Sequence, residues 1–247
     1  MKKVLLLALC CVLAVVMLTG CYTVNFHGNW GRRIVGRGVT ETYTFSVGDF
    51  TEVRVELLCD IIYSSAPSDS VTLEIQPNLM KYVTVKESGG VLTVRATRNI
   101  HWSGNSRAPV LYISTPSLSS VSHYGAGSFK TVDTIVADSF SLNIAGAANS
   151  KAELDVDSLS INLAGAGNID LSGRADDAYI GIAGTGRLEA LDLATRDSKI
   201  NLAGVGSVRI NCSENLSIVA GGVGTVEYTG SPSVDVSRGG LVTLRRI

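Results

Sequence analysis

Asp170 and Glu189 lie 19 residues apart, at equivalent points of two successive copies of a repeated motif. If the copies stack as coils, the two carboxyls become neighbours, near the separation of roughly 5 Å that a retaining glycosidase uses for its acid and its nucleophile. Any two residues in one column of a stacked fold are that close, so proximity alone does not make a catalytic pair. The outward positions around them hold Lys130, Lys151, Arg209 and Glu227. Lys151 and Arg209 flank the carboxylates as in an alternating charge ladder, which stabilises an exposed sheet modestly. Acid catalysis would further need a pocket that keeps one carboxyl protonated, and a flat exposed face offers none.

Other chemistries find less support. The Gly-x-Gly runs GAGNID and GVGSVR lead straight into strand-like sequence with no following Lys-Ser or Lys-Thr, whereas a dinucleotide or phosphate loop must open a helix. Calcium-binding nonapeptides place Asp in a slot that here holds Phe129, Ser150, Ile169, Leu188, Val208 and Val226, and apolar side chains cannot ligate a hard cation. His27, His101 and His123 share no zinc-type spacing with Cys, Asp or Glu, and no Gly-x-Ser-x-Gly occurs. We therefore expect no metal and no cofactor, and a chain that is not an enzyme. A carbohydrate-active enzyme remains the alternative.

The elements that would position these residues are written in a repeat. SHYGAG at 122, NIAGAA at 143, NLAGAG at 162, GIAGTG at 181, NLAGVG at 201, VAGGVG at 219 and SRGGLV at 237 are versions of one motif. Their glycines, Gly125, Gly146, Gly165, Gly184, Gly204, Gly222 and Gly240, are spaced by 21, 19, 19, 20, 18 and 18 residues, too few for two helices but enough for short strands and turns. Between them apolar and polar residues alternate, as in strands. Superposing the copies stacks Val121, Leu142, Ile161, Ile180, Ile200 and Ile218 in one inward column and Ile144, Leu163, Ile182 and Leu202 in a second. The pattern predicts an all-β fold, a parallel β-helix of about 18 to 21 residues per coil with further strands stacked on its N-terminal end. Ala145, Ala164, Ala183 and Ala203 precede the glycines, as though a tight corner excludes larger side chains and uses the freedom of Gly at positive φ.

Residues 1–20 read as a signal: Lys2 and Lys3, an apolar stretch from Val4 to Leu18, then Leu18-Thr19-Gly20-Cys21. This resembles a bacterial lipoprotein signal, which implies cleavage before Cys21 and its lipidation. The protein would then be held in the membrane by acyl chains, with no spanning helix. Tyr22 rather than Asp follows, so in a host with two membranes the outer one is favoured. Removing the signal takes the net charge from −1 to −3, with 19 basic against 22 acidic residues, so nucleic acid is not an expected partner. Cys59 and Cys212 are then the remaining cysteines and read as buried thiols.

Residues 21–40 read as a lipidated tether, 41–118 as an N-terminal strand region and 119–247 as the β-helix repeats. FTEVRVE, a Gly-Gly turn into VLTVRA, the passage VLYISTPSLSSVSHYGAG and the Asn-[Ile/Leu]-Ala-Gly-[Ala/Val]-Gly units together resemble the head GIN domain family of autotransporter adhesins, over roughly residues 45 to 247. The resemblance implies a right-handed β-helix in an exported envelope protein. It carries no catalytic motif to transfer.

Two features suit binding. One is a polar face of outward amides and hydroxyls including Asn143, Asn162, Tyr179 and Asn201, which matches sugar hydroxyls unless the amides spend their hydrogen bonds on each other. The other is the loop RNIHWSGNSR, where His101 and Trp102 sit between Arg98 and Arg107, either as a recognition aromatic or as a cap on the first coil. The expected function is a lipid-anchored envelope protein that binds a glycan or a surface protein without catalysis. A purely structural lipoprotein is a further alternative.

Overall fold

A computed structural model describes residues 34–97 and 108–247. The described residues are all-β apart from the single-turn helix Pro77–Met80, and build a solenoid of about 7 turns with about 19 residues per turn. The repeating coils run through β8 (Ser120–His123), β9 (Ala126–Thr131), β10 (Ile135–Ile144), β11 (Ala147–Leu163), β12 (Ala166–Ile182), β13 (Thr185–Leu202), β14 (Val205–Ala220), β15 (Val223–Thr229), β16 (Ser233–Arg238) and β17 (Leu241–Arg246). Each strand pairs in parallel with the equivalent strand of the next coil.

The expected columns are present. Val121, Leu142, Ile161, Ile180, Ile200 and Ile218 are register partners from coil to coil, each at most 1% exposed. Ile144, Leu163, Ile182 and Leu202 form the second column. The two columns belong to one continuous core, whose burial supplies the main driving force for stacking.

Two findings differ from the expectation for the corners. Ala145, Ala164, Ala183 and Ala203 point outward and are exposed, so they do not mark a steric limit. The glycines do. A Cβ on Gly165 would meet the backbone carbonyl of Gly146, one on Gly184 that of Gly165, and one on Gly204 that of Gly184, each closer than any real Cβ approaches an oxygen. None of these corner glycines has positive φ. Glycine is required because successive corners stack backbone on backbone.

The N-terminal strands are interleaved with the solenoid rather than placed in sequence order. β2 (Glu52–Glu56) and β3 (Asp60–Ser64) pair in parallel with β8 and β9 on one side. On the other side they pair in parallel with β6 (Val91–Ala96) and β7 (Val110–Ser114). The coil column thus extends through Val53 and Leu92. β1 (Glu41–Phe45), β4 (Ser70–Ile75) and β5 (Val83–Ser88) close that end antiparallel, with β5 on β6, β4 on β7 and β1 on β4. At the other end, Arg238 and Arg246 occupy register positions held by Ala220 and Tyr228 one coil earlier and are exposed. Charges at would-be core positions blunt an open sheet edge against further pairing.

His123 breaks the apolar rule. It occupies the inward position below Ile144 and above Val55, is 0% exposed, and neither ring nitrogen has a hydrogen-bond partner. Burial lowers its pKa from the ordinary 6.5, opposed by the Leu57 backbone and by Asp60. The unfolded chain therefore binds more protons below about pH 6.5, so stability present above that pH is lost as the pH falls. Replacing His123→Leu should stabilise the fold by about 1–2 kcal/mol at neutral pH and flatten the loss between pH 7 and 5. Urea midpoints at both pH values test this, and an equal loss in variant and wild type would contradict it.

Cys59 and Cys212 are both buried and unpaired, as thiols filling apolar space. Burial pushes the Cys59 pKa up to about 12.

Candidate functional site

The first strand of each coil projects two outward columns. One runs Ser120, Ser141, Ser160, Tyr179, Lys199, Ser217 and Asp235, the other Ser122, Asn143, Asn162, Gly181, Asn201, Val219 and Ser237. The amides at the start of the second column are spent on one another. Asn162 Nδ2 donates to Asn143 Oδ1 at 3.0 Å and to Ser160 Oγ at 3.3 Å, and Asn143 Nδ2 donates to Ser141 Oγ at 3.1 Å. Both asparagines are half-buried. Gly181 interrupts the ladder. A Cβ there would come within 3.1 Å of Asn162 Oδ1 and 3.5 Å of the Tyr179 ring, so the aromatic fills part of the notch. Beyond it, Tyr179 is 37% exposed, and Tyr179, Lys199 and Asn201 make no side-chain hydrogen bond among the described residues. The predicted face thus divides into a self-satisfied half at Asn143 and Asn162 and an unspent half at Tyr179, Lys199 and Asn201. Arg98, His101, Trp102 and Arg107 lie outside the described residues.

The second strand of each coil carries the charged column in the order Lys130, Lys151, Asp170, Glu189, Arg209, Glu227 and Arg245. Only its later half is an alternating ladder. Arg209 Nη1 donates to Glu189 Oε2 at 3.2 Å and Arg209 Nε to Glu227 Oε2 at 3.1 Å, with Arg245 3.8 Å from Glu227. In the earlier half like charges face each other, Lys130 against Lys151 and Asp170 against Glu189, and Lys151 and Asp170, though register partners, form no ion pair among the described residues. The ladder expected to embrace Lys151 and Asp170 therefore stops at Glu189. Asp170 is exposed and Glu189 is committed to Arg209, an arrangement without the enclosed carboxylic acid that a glycosidase requires.

The wall is also not flat here. Opposite Leu171, β13 carries an extra residue, and Leu191, Asp192 and Leu193 have no partner in β14. The bulge opens a groove of about 440 Å³ lined by Lys151, Asp170, Glu189, Leu191, Asp192 and Arg209. Asp192 was not singled out by motif, although the 20-residue spacing from Gly184 to Gly204, one more than in the two preceding coils, was its visible trace.

A third cluster is structural. Arg174 bridges Asp155 at 3.1 Å and Asp176 at 2.8 Å, and Arg196 bridges Asp197 at 3.0 Å, all on solvent-exposed corners where such pairs contribute little. No cluster of potential metal ligands occurs among the described residues.

Comparison with curated proteins gives no match. Solved structures share the architecture at low sequence identity. A putative adhesin from Bacteroides fragilis NCTC 9343 superposes with a TM-score of 0.81 at 22% identity, covering 87% of this chain and 100% of its own. A putative lipid binding protein from Parabacteroides distasonis ATCC 8503 gives 0.68 at 21%, with 87% and 100% covered. A putative adhesin from Parabacteroides merdae ATCC 43184 gives 0.66 at 23%, with 88% and 100% covered. At these identities the likeness concerns the fold. The family model described as putative auto-transporter adhesin, head GIN domain, matches residues 49–232, the greater part of the sequence, and the chain belongs to that family.

Proposed function

We propose that this protein is a lipid-anchored, non-catalytic binding module of the cell envelope. Its ligand, a glycan or a surface protein, is engaged by the outward face around Tyr179, Lys199 and Asn201. One observation carries the reading: past the Gly181 notch the polar ladder stops bonding to itself, leaving an exposed aromatic beside an ammonium and an amide with unspent capacity. A rigid aromatic flanked by hydrogen-bonding groups is a low-entropy recognition surface. The adhesin descriptions of the family and of two structural neighbours are consistent with such a role. The exposed Asp170 and the Arg209-bound Glu189 speak against the carbohydrate-active enzyme.

Glycan and matrix-protein arrays probed with the chain test the reading. Binding that is lost in Tyr179→Ala, with unchanged melting, is the expected result, and arrays on which the wild type binds nothing would overturn it. The anchor has its own test. Cys21→Ser should move the protein from the detergent-extracted membrane fraction to the soluble fraction, and a variant that still needs detergent would contradict lipidation at Cys21.

A further inference from the structure

The groove at the β13 bulge combines two departures from the solenoid's regularity. β11 and β12 keep an unbroken register, but here β13 carries an extra residue opposite Leu171, while Leu191, Asp192 and Leu193 lose their partners in β14, and a groove of about 440 Å³ opens beside them, within the size range of small-molecule sites. The charged column is also mispaired at this point. Lys151 and Asp170 are register partners without an ion pair, and on their other sides Lys151 faces Lys130 and Asp170 faces Glu189, although like charges directly opposite on adjacent strands are destabilising, while beyond the groove the same column alternates and is tied by ion pairs. Places where a sequence breaks a local rule that it obeys nearby are where function is expected.

The groups left over define the ligand. Glu189 and Arg209 neutralise each other, while Lys151, Asp170 and Asp192 have no partner among the described residues. A cationic ligand would meet Lys151 and Arg209, and an anionic one would meet Asp170, Glu189 and Asp192. A neutral polyol suits both. Neighbouring hydroxyls donate to a carboxylate that can accept several hydrogen bonds, and other hydroxyls accept from the lysine ammonium. Partly exposed Leu191 offers apolar surface to the C–H face of a sugar ring. We infer that this groove is a seat for a neutral sugar residue, held by Asp170, Asp192 and Lys151 and distinct from the Tyr179 face. The inference rests on the reading of the chain as a binding module and adds a second contact surface to it.

The test is calorimetric titration of the whole chain, in a detergent without a sugar headgroup, with neutral trisaccharides of glucose, galactose, mannose and N-acetylglucosamine. Spermidine and sialyllactose serve as cationic and anionic probes. At least one neutral trisaccharide should bind, and Asp170→Asn and Asp192→Asn should each weaken it about tenfold without shifting the melting temperature. Absence of binding by all four, binding indifferent to both substitutions, or spermidine binding more tightly than any of them would each overturn the inference. If none of the four trisaccharides binds while the wild type binds on the arrays and Tyr179→Ala does not, the groove inference falls while the module reading stands. Loss of array binding in Tyr179→Ala alone leaves trisaccharide binding at the groove unchanged if the two faces are separate, and abolition of both would contradict that separation.

Discussion

Gly165→Ala should destabilise the fold by about 3 kcal/mol or more, the effect of a single methyl group. The new Cβ would lie against the backbone oxygen and nitrogen of Gly146 in the coil before, and backbone atoms held in a parallel ladder cannot step aside as a side chain can. The Ala166 N–H donates to the Gly146 carbonyl oxygen at 2.8 Å, so relieving the clash means stretching that bond and its neighbours. Ala164→Ser, one residue away but exposed, should change stability by less than about 0.5 kcal/mol. Denaturant midpoints of the two variants separate corner stacking from a general intolerance of the motif. Equal, small effects would show that the coils can separate without cost.

Ile180→Asp should be at least as damaging, at about 3–5 kcal/mol. Ile180 is 0% exposed, with Ile161 and Ile200 as its register partners in the coils before and after. A carboxylate there has no cation to meet, and water cannot reach it without parting the coils. The expected result is loss of the cooperative melting transition near neutral pH. A variant that melts like the wild type would mean that Ile180 does not face the core.

The repeat made the solenoid legible because two periods coincide in it. Alternation at every second residue sets the inward face, and recurrence about every 19 residues sets which inward residues touch. Leu142, Ile161, Ile180 and Ile200 follow from superposition alone. The order of the N-terminal coils does not. β2 and β3 lie between strands that follow them in the chain, a choice made by long-range pairing that leaves no local pattern. The corner glycines were identifiable, but their cause was not, since a collision with the preceding coil is a property of stacked backbones and not of one turn's dihedral angles. His123 was visible in principle, because aligning SHYGAG with NIAGAA puts it in the place of Ile144. Of the candidate site, Tyr179 and Asn201 stand where the alternation put them. Whether an amide there is spent or free depends on its neighbour one coil away, which is why Asn143 and Asn162 proved self-bonded.

The central claim, binding without catalysis, meets its most direct test when the wild-type chain and the Asp170→Asn/Glu189→Gln double variant are incubated with a panel of polysaccharides and the reducing ends and unsaturated sugars released are measured. The account predicts release at background for both, from the same wild-type preparation that binds on the array. Release by the wild type that vanishes in the double variant would contradict it and make these two carboxylates the acid and nucleophile of an enzyme.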